Sequence, residues 1–246
     1  PDDTRGHDIL GGKYFNMDDF LNALFHFQTV LWLDFENYPA HFKVGHTLLE
    51  LENPKDAIIA FENVLKNDPY HSGALLGIGL AWIKMEDFSR AIPFLTESLM
   101  NAPENEITYY NLGLAYMNTD QIPRALEALS RFVNINPENA DAYYLLGTLY
   151  EKILDIERAI DNYSMAQKMN IENLDNNYRL GMLLFKTDQF NEAMDPLVEY
   201  IMAEPDSIYV LKVLGEIFVT ENRYPEAVDT YSRLIEYEPD EIQYYQ

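Results

Sequence analysis

Residues 106–139 read EITYYNLGLAYMNTDQIPRALEALSRFVNINPEN, and this stretch decides the fold of the chain. Apolar residues recur in it at helical spacing in two runs, which the polar segment 118–121 separates. The fixed members of the pattern are Tyr109, Leu112, Gly113, Tyr116, Ala125, Leu129 and Pro137. This arrangement predicts two amphipathic helices joined by a short turn.

The pattern returns when the window moves by 34 residues, without an insertion or a deletion, from Thr4 to Glu241. It predicts seven units, at residues 4–37, 38–71, 72–105, 106–139, 140–173, 174–207 and 208–241. Residues 242–246 then begin what we predict to be a truncated further helix. Every unit keeps one glycine and one alanine, namely Gly11, Gly45, Gly79, Gly113, Gly147, Gly181 and Gly215 with Ala23, Ala57, Ala91, Ala125, Ala159, Ala193 and Ala227. Glycine inside a helix costs about 1 kcal/mol relative to alanine. Its recurrence therefore predicts close approach of two helix backbones.

Polar residues at the predicted helix starts indicate capping side chains. Asn105, Asn139, Asn173 and Ser207 are expected to cap the first helix of the following unit. Asp87, Asp120, Asp155 and Asp188 are expected to cap the second helix of their own unit.

The offsets between the repeated residues resemble those of the tetratricopeptide repeat (TPR), a helix–turn–helix unit of about 34 residues. The resemblance covers residues 4–241 of the 246-residue chain. It implies an all-α fold, a right-handed superhelical α-solenoid of seven TPR units. It also implies that the first helices line a concave groove that binds other proteins.

In the TPR family, the groove residues fall at the second, fifth, sixth, ninth, twelfth and thirteenth positions of each unit. We call the following fifteen residues, which the resemblance places there, the predicted groove residues: Phe42, Leu76, Leu80, Ile83, Lys84, Tyr110, Asn111, Leu114, Met117, Tyr144, Tyr178, Arg179, Met182, Phe185 and Lys186. We expect them to lie outside the core, and Phe15 and Leu49 to extend the stripe upstream. In the alternative interpretation, these side chains pack against one another and bind nothing.

Charge is unevenly distributed. The net charge is −24, from 41 acidic and 17 basic residues, which disfavours nucleic acid and anionic membrane surfaces as partners. The groove positions are nearly neutral, with seven basic residues against six acidic ones. An aromatic, near-neutral groove in an acidic molecule favours an apolar peptide or an amphipathic helix as its ligand.

No catalytic, cofactor-binding or metal-binding motif is found in the sequence. Cysteine is absent, which excludes disulfides and thiolate metal sites. His41 and His46 are five residues apart, a spacing that does not place two ligands on one helix face. His7 and His41 occupy the same position in consecutive units, and we interpret them as packing residues. We therefore predict that the chain is not an enzyme.

The leading interpretation is a non-catalytic adaptor or scaffold that holds a peptide or helix of a partner protein. One alternative is an assembly component that self-associates through its ends, suggested by the apolar stripe of Val228, Tyr231, Leu234 and Ile235. Another is the targeting region of a longer enzyme. No run approaches the roughly 18 apolar residues of a membrane span. The cytoplasm is favoured as the location, with the periplasm open if a signal has been removed.

Overall fold

The structure, a computed structural model, describes residues 3–170 and 172–238. Within these residues the chain forms fourteen α-helices and no β-strand, which confirms the all-α prediction. The helices are α1 (Thr4–Phe15), α2 (Phe20–Leu33), α3 (Tyr38–Glu50), α4 (Pro54–Asn67), α5 (Ser72–Lys84), α6 (Phe88–Asn101), α7 (Glu106–Asn118), α8 (Ile122–Ile135), α9 (Ala140–Lys152), α10 (Ile156–Met169), α11 (Leu174–Lys186), α12 (Phe190–Ala203), α13 (Ile208–Thr220) and α14 (Tyr224–Tyr237). The further helix predicted at 242–246 lies outside the described residues.

The chain divides into two compact units, Pro1–Ile135 and Asn136–Gln246. In the first unit each helix packs against the next one along the chain, from α1 to α8. The same holds from α9 to α14 in the second unit. Each unit is therefore a stretch of α-solenoid, and we call two consecutive helices a repeat, so that α1 and α2 form repeat 1.

Side-chain caps start most of the first helices, as predicted. The side chains of Asn105, Asn139 and Asn173 accept hydrogen bonds of 2.8–3.1 Å from the backbone N–H three residues later. Ser207 precedes α13 but its side chain makes no capping hydrogen bond, so that prediction is wrong. A cap satisfies one of the backbone donors that a helix start leaves unpaired.

The aspartates at the second helices behave in two ways. Asp87 and Asp155 cap α6 and α10, as predicted. Asp120 and Asp188 are not caps, because α8 and α12 each start one residue later than predicted. Both instead adopt a left-handed backbone conformation, with φ of 59°.

That left-handed conformation recurs once in every repeat, at the turn between its two helices. The seven residues are Asp18, Glu52, Glu86, Asp120, Leu154, Asp188 and Asn222, with φ between 54° and 61°. None is glycine, although this region costs other residues about 1–2 kcal/mol, least for Asn and Asp. The strain is greatest for an apolar residue, and Leu154 is the apolar member.

The repeated glycines make room for large side chains. A Cβ atom built on any of them would lie 2.5–2.8 Å from a side chain of the second helix in the same repeat. The covering side chains are Phe27, Phe61, Leu95, Leu129, Tyr163, Leu197 and Tyr231. The space that each glycine leaves is therefore filled by one of these side chains, and the close approach of two backbones stays a prediction. The repeated alanines are all buried beside them.

Candidate functional site

The predicted groove residues all lie on first helices of repeats. Nine are on α3, α5 and α7 in the first unit, and six are on α9 and α11 in the second. Leu76 and Met182 are buried in the hydrophobic core, contrary to the prediction, and Leu49 is buried as well. Most of the others are half-buried, while Lys84 and Lys186 are exposed. Their apolar rings and chains therefore pack partly on the core.

In the first unit, aromatic rings gather around Phe42 on α3. Its ring centroid lies 4.7 Å from that of His46, 5.0 Å from that of His71 and 5.8 Å from that of Phe61. Inclined contacts of this kind are the favoured geometry of aromatic pairs. They hold Phe42 in one position at the surface of the helix pair.

An open cavity of about 280 Å³ lies beside this cluster, between α1, α2 and α3. We call it the aromatic cavity, and it is lined by Gly12, Phe15, Asn16, Phe27, Phe42, Lys43 and His46. Phe15 and Phe42 were assigned to the stripe from the sequence, whereas Gly12, Phe27 and His46 were not. The sequence feature that could have indicated this cavity is Gly12, which has no side chain to fill the space. A Cβ atom built there meets no atom within 4 Å.

The cationic groups of this region are paired. Lys43 Nζ lies 2.6 Å from the carboxylate of Asp8 on α1, and 5.6 Å from the centroid of the Phe27 ring. Lys84 on α5 forms an ion pair of 2.7 Å with Glu52 in repeat 2. The wall of the aromatic cavity is therefore apolar and carries no uncompensated charge.

Burial lowers the pKa of the His46 imidazole below its ordinary value of 6.5, although the Glu50 carboxylate acts in the opposite direction. The neutral imidazole is thus favoured in the cavity wall near neutral pH. Its ring also contacts Phe61, with centroids 5.6 Å apart. His46 therefore acts as part of the aromatic lining.

The remaining predicted groove residues of the first unit lie on α5 and α7. Leu80 and Ile83 pack against the core of α5–α8. Tyr110 stacks at 5.1 Å on Phe132. The Asn111 side-chain amide donates a hydrogen bond of 2.8 Å to the carbonyl of Ile107, one helical turn earlier. This stretch presents half-buried apolar edges.

In the second unit, Tyr144 and Arg179 belong to a polar network. The Tyr144 hydroxyl donates to Asp175, and Arg179 Nε lies 2.8 Å from the same carboxylate. Arg179 also reaches Glu151 at 3.1 Å, and Glu151 accepts a hydrogen bond of 2.8 Å from the Tyr163 hydroxyl. The polar atoms of both predicted groove residues thus already have partners within the unit.

These contacts shift the ionisation of the network. The hydrogen bond to Asp175 raises the pKa of the Arg179 guanidinium. Partial burial acts to raise the pKa of Asp175, but the hydrogen bonds from Tyr144 and Arg179 outweigh it and the pKa is lowered. Burial, followed by the bond to Asp175, raises the pKa of the Tyr144 hydroxyl. Near neutral pH the Tyr144 hydroxyl therefore stays neutral and the Arg179 guanidinium stays positively charged, as expected of a structural network.

Two further aromatic contacts occur on α11. Tyr178 lies 5.2 Å from Tyr200, and Phe185 lies 5.8 Å from Phe190, both measured between ring centroids. Each groove-side ring is thus supported by a residue of α12. Such supported rings are rigid anchors of the kind that binding surfaces use.

The apolar stripe predicted on the last second helix is largely covered. Leu234 on α14 is fully buried, and Tyr231 and Ile235 pack against the core. Of the four, Val228 is exposed. This stripe was the reason for considering end-to-end assembly, and Val228 is the one exposed residue of the four. The expectation of an uncovered apolar stripe is therefore wrong.

No group of three or more His, Cys, Asp or Glu residues that could hold a metal ion is found in the described ranges. His7 Nδ1 and His26 Nδ1 are 2.9 Å apart, and His41 contacts the backbone carbonyl of Phe35. None of the helices in residues 3–170 and 172–238 is long and apolar enough to cross a membrane.

Two family models, both described as tetratricopeptide repeat, match residues 42–106 and 83–149. Among the curated proteins none matches this sequence. The matched residues run from within α3 to within α9 and leave out α1 and α2.

Several solved structures have a similar fold. A MamA protein is 25% identical, over 69% of this chain and 92% of that one, with a TM-score of 0.62. YrrB, described as a TPR protein with an unusual peptide-binding site, is 19% identical over 76% and 96% of the two chains, with a TM-score of 0.66. A tetratricopeptide repeat protein from Parabacteroides merdae is 13% identical over 95% and 92%, with a TM-score of 0.65.

Proposed function

We propose that this chain, a tetratricopeptide repeat protein, is a non-catalytic adaptor that holds a peptide segment or an amphipathic helix of a partner protein. The binding surface consists of the predicted groove residues that stay accessible on the first helices of the repeats. Repeat solenoids commonly present such an extended surface to other proteins. The partner contributes apolar side chains, and the adaptor contributes the aromatic rings that receive them.

The observation that carries this proposal is the aromatic cavity. Its volume of about 280 Å³ exceeds the roughly 150 Å³ in which an apolar cavity accommodates benzene. One Leu, Met or Phe side chain of a partner therefore fits. The rings of Phe15 and Phe42 line this cavity, and an apolar side chain that enters it is removed from water.

Charge supports an apolar ligand. Lys43 is neutralised by Asp8, so a carboxylate entering the cavity would have to compete with an existing ion pair at 2.6 Å. The residues that line the cavity include no carboxylate to pair with a lysine or arginine of the ligand. The likeness to YrrB, whose description mentions a peptide-binding site, supports a peptide as the class of ligand.

The test uses a substitution that fills the aromatic cavity and removes no existing side-chain contact. A random 12-residue peptide library is selected on the purified chain, and the enriched peptide is titrated by calorimetry. Gly12→Leu fills the open space next to Phe15, and Lys13→Leu adds the same side chain at the next, exposed position of α1. We expect Gly12→Leu to weaken binding at least about tenfold and Lys13→Leu to leave it unchanged.

Circular dichroism checks that both variants fold. Because leucine is a better helix former than glycine, Gly12→Leu should keep α1 helical. The enriched sequences should share a large apolar or aromatic residue. Peptides that bind wild type and Gly12→Leu with equal affinity would place the ligand elsewhere and refute the groove proposal.

A further inference from the structure

Helix α2 carries an exposed apolar face that the groove does not use. Leu21 is 72% exposed, Phe25 60% and Trp32 81%. Their spacing of four and seven residues places them on one side of the helix, together with Gln28. We call Leu21, Phe25 and Trp32 the α2 face. A helix that is apolar on its inner and its outer side normally has a partner on both.

The other repeats do not share this feature. At the positions equivalent to residues 21, 25, 28 and 32, no other repeat has an aromatic residue. Repeat 2 has Lys55, Glu62 and Lys66 there, and repeat 5 has Glu157, Asp161 and Lys168. The α2 face is therefore a local property of repeat 1 and not a requirement of the solenoid.

Acidic residues surround the α2 face. Asp18 and Asp19 lie at its amino-terminal end, and Asp34 and Glu36 lie at its carboxyl-terminal end. The sequence contains no lysine or arginine between Lys13 and Lys43. None of the four carboxylates forms an ion pair with a residue in the described part of the chain. The face is thus an apolar strip with negative charge at both ends.

We propose that the α2 face is a second protein-binding surface and that its ligand is a cationic amphipathic helix. The apolar side of such a helix covers Leu21, Phe25 and Trp32, and its lysines or arginines meet the flanking carboxylates. A length of about 14 residues matches α2, which spans about 21 Å at 1.5 Å per residue.

Charge argues against the other occupants. A second copy of the chain, packed through the same face in antiparallel fashion, brings Asp18 and Asp19 against Asp34 and Glu36. Like charges placed together in this way oppose association. An anionic membrane surface is repelled by the same carboxylates. The complementary partner is the cationic helix, and this surface is independent of the aromatic cavity.

Trp32 provides a built-in reporter of the test. The chain has two tryptophans, so the Trp82→Phe variant leaves Trp32 as the only indole. The probe is an 18-residue amphipathic helical peptide of leucine and lysine, titrated while the emission of Trp32 is recorded. We expect a blue shift as Trp32 leaves water. Calorimetry with the unmodified chain gives the affinity without the Trp82 substitution.

Two control peptides separate shape from charge. One has glutamate in place of every lysine, and the other has the same composition in a scrambled order without an apolar face. Both should fail to shift the emission of Trp32. If the scrambled peptide binds as tightly as the amphipathic one, attraction to the acidic surface is sufficient and the proposal is wrong.

Matched variants locate the surface. Leu21→Ala with Phe25→Ala should weaken binding at least about tenfold, as expected for central apolar anchors. Ile59→Ala, which removes a 58% exposed apolar residue at the equivalent position of repeat 2, should leave it unchanged. Equal affinity of the double variant and wild type overturns the proposal. A blue shift of Trp32 on raising the protein concentration alone, or with zwitterionic vesicles alone, overturns it in favour of a second copy or a lipid surface.

Discussion

The substitutions Gly77→Ala and Gly12→Ala should change the stability of the protein in opposite directions. Gly77 lies against the Phe61 ring, whereas Gly12 borders open space. Phe61 is fully buried, and its ring lies against both Gly45 of α3 and Gly77 of α5. A Cβ atom added to Gly77 lies 2.4 Å from Phe61 Cζ, and one added to Gly45 lies 2.7 Å from the same ring. A Cβ atom added to Gly12 of α1 meets nothing within 4 Å.

The magnitude follows from two opposing terms. Alanine gains about 1 kcal/mol over glycine in either helix. At Gly77 the new methyl group overlaps the ring by more than 1 Å relative to a normal carbon–carbon contact of about 3.5 Å. The Phe61 ring is fully buried and also lies against Gly45, so it has little room to move, and overpacking of this kind costs about 3 kcal/mol. Gly77→Ala should therefore destabilise the protein by about 2 kcal/mol, while Gly12→Ala stabilises it by about 1 kcal/mol.

Thermal unfolding followed by circular dichroism checks both values. Gly77→Ala should lower the melting temperature by about 4–8 °C, and Gly12→Ala should raise it by about 2–4 °C. Phe61→Leu in the Gly77→Ala background should recover part of the loss, since the smaller side chain relieves the overlap. If Gly77→Ala melts at or above the wild-type temperature, the ring is not confined between the helices and the packing argument fails.

Three further predictions concern single residues. Replacing Leu154 with glycine should raise the free energy of unfolding by about 0.5–1 kcal/mol in urea titrations, because Leu154 is 81% exposed and strained at φ of 61°. Asn105→Ala should cost about 1 kcal/mol through loss of its cap, whereas Ser207→Ala should be nearly neutral; equal losses would contradict the assigned caps. Because the pKa of His46 is lower in the folded than in the unfolded chain, the unfolded chain binds a proton at a higher pH. The contribution of His46 to the free energy of unfolding is therefore present above pH 6.5 and is lost as the pH falls toward the folded pKa. Urea titrations from pH 7.5 to 5 should show a smaller loss in His46→Phe than in wild type, and not its absence, because His26, whose pKa is also lowered, is retained.

The fold was predictable because its periodic signal is carried by small residues. Gly113 and Ala125 have no competing role in a helix and recur for packing reasons alone. At Gly113 the sequence shows that space is required, but it does not show that the Leu129 side chain fills that space. The cap errors at Asp120 and Asp188 have a similar cause. An aspartate suits both a cap and a left-handed turn, so only the geometry separates the two roles.

The candidate site was predictable only in part, because accessibility depends on neighbouring volumes. Leu76 and Met182 were predicted to be groove residues, but they are buried. The aromatic cavity was missed because it results from a missing side chain at Gly12 above a second-helix residue, Phe27. The α2 face was missed because its exposed side chains, such as Trp32, follow the same helical spacing as core residues.

The ion pairs between consecutive repeats are sensitive to salt. Lys43–Asp8 joins repeats 1 and 2, Lys84–Glu52 joins repeats 2 and 3, and Arg179–Glu151 joins repeats 5 and 6. All are partly exposed, so dissolved salt screens them over a Debye length of about 8 Å at physiological ionic strength, while the buried packing is unaffected. These ion pairs between repeats are therefore weaker at high salt than at low salt. The contact between two such repeats thus has one part that depends on salt, the ion pair, and one part that does not, the buried packing.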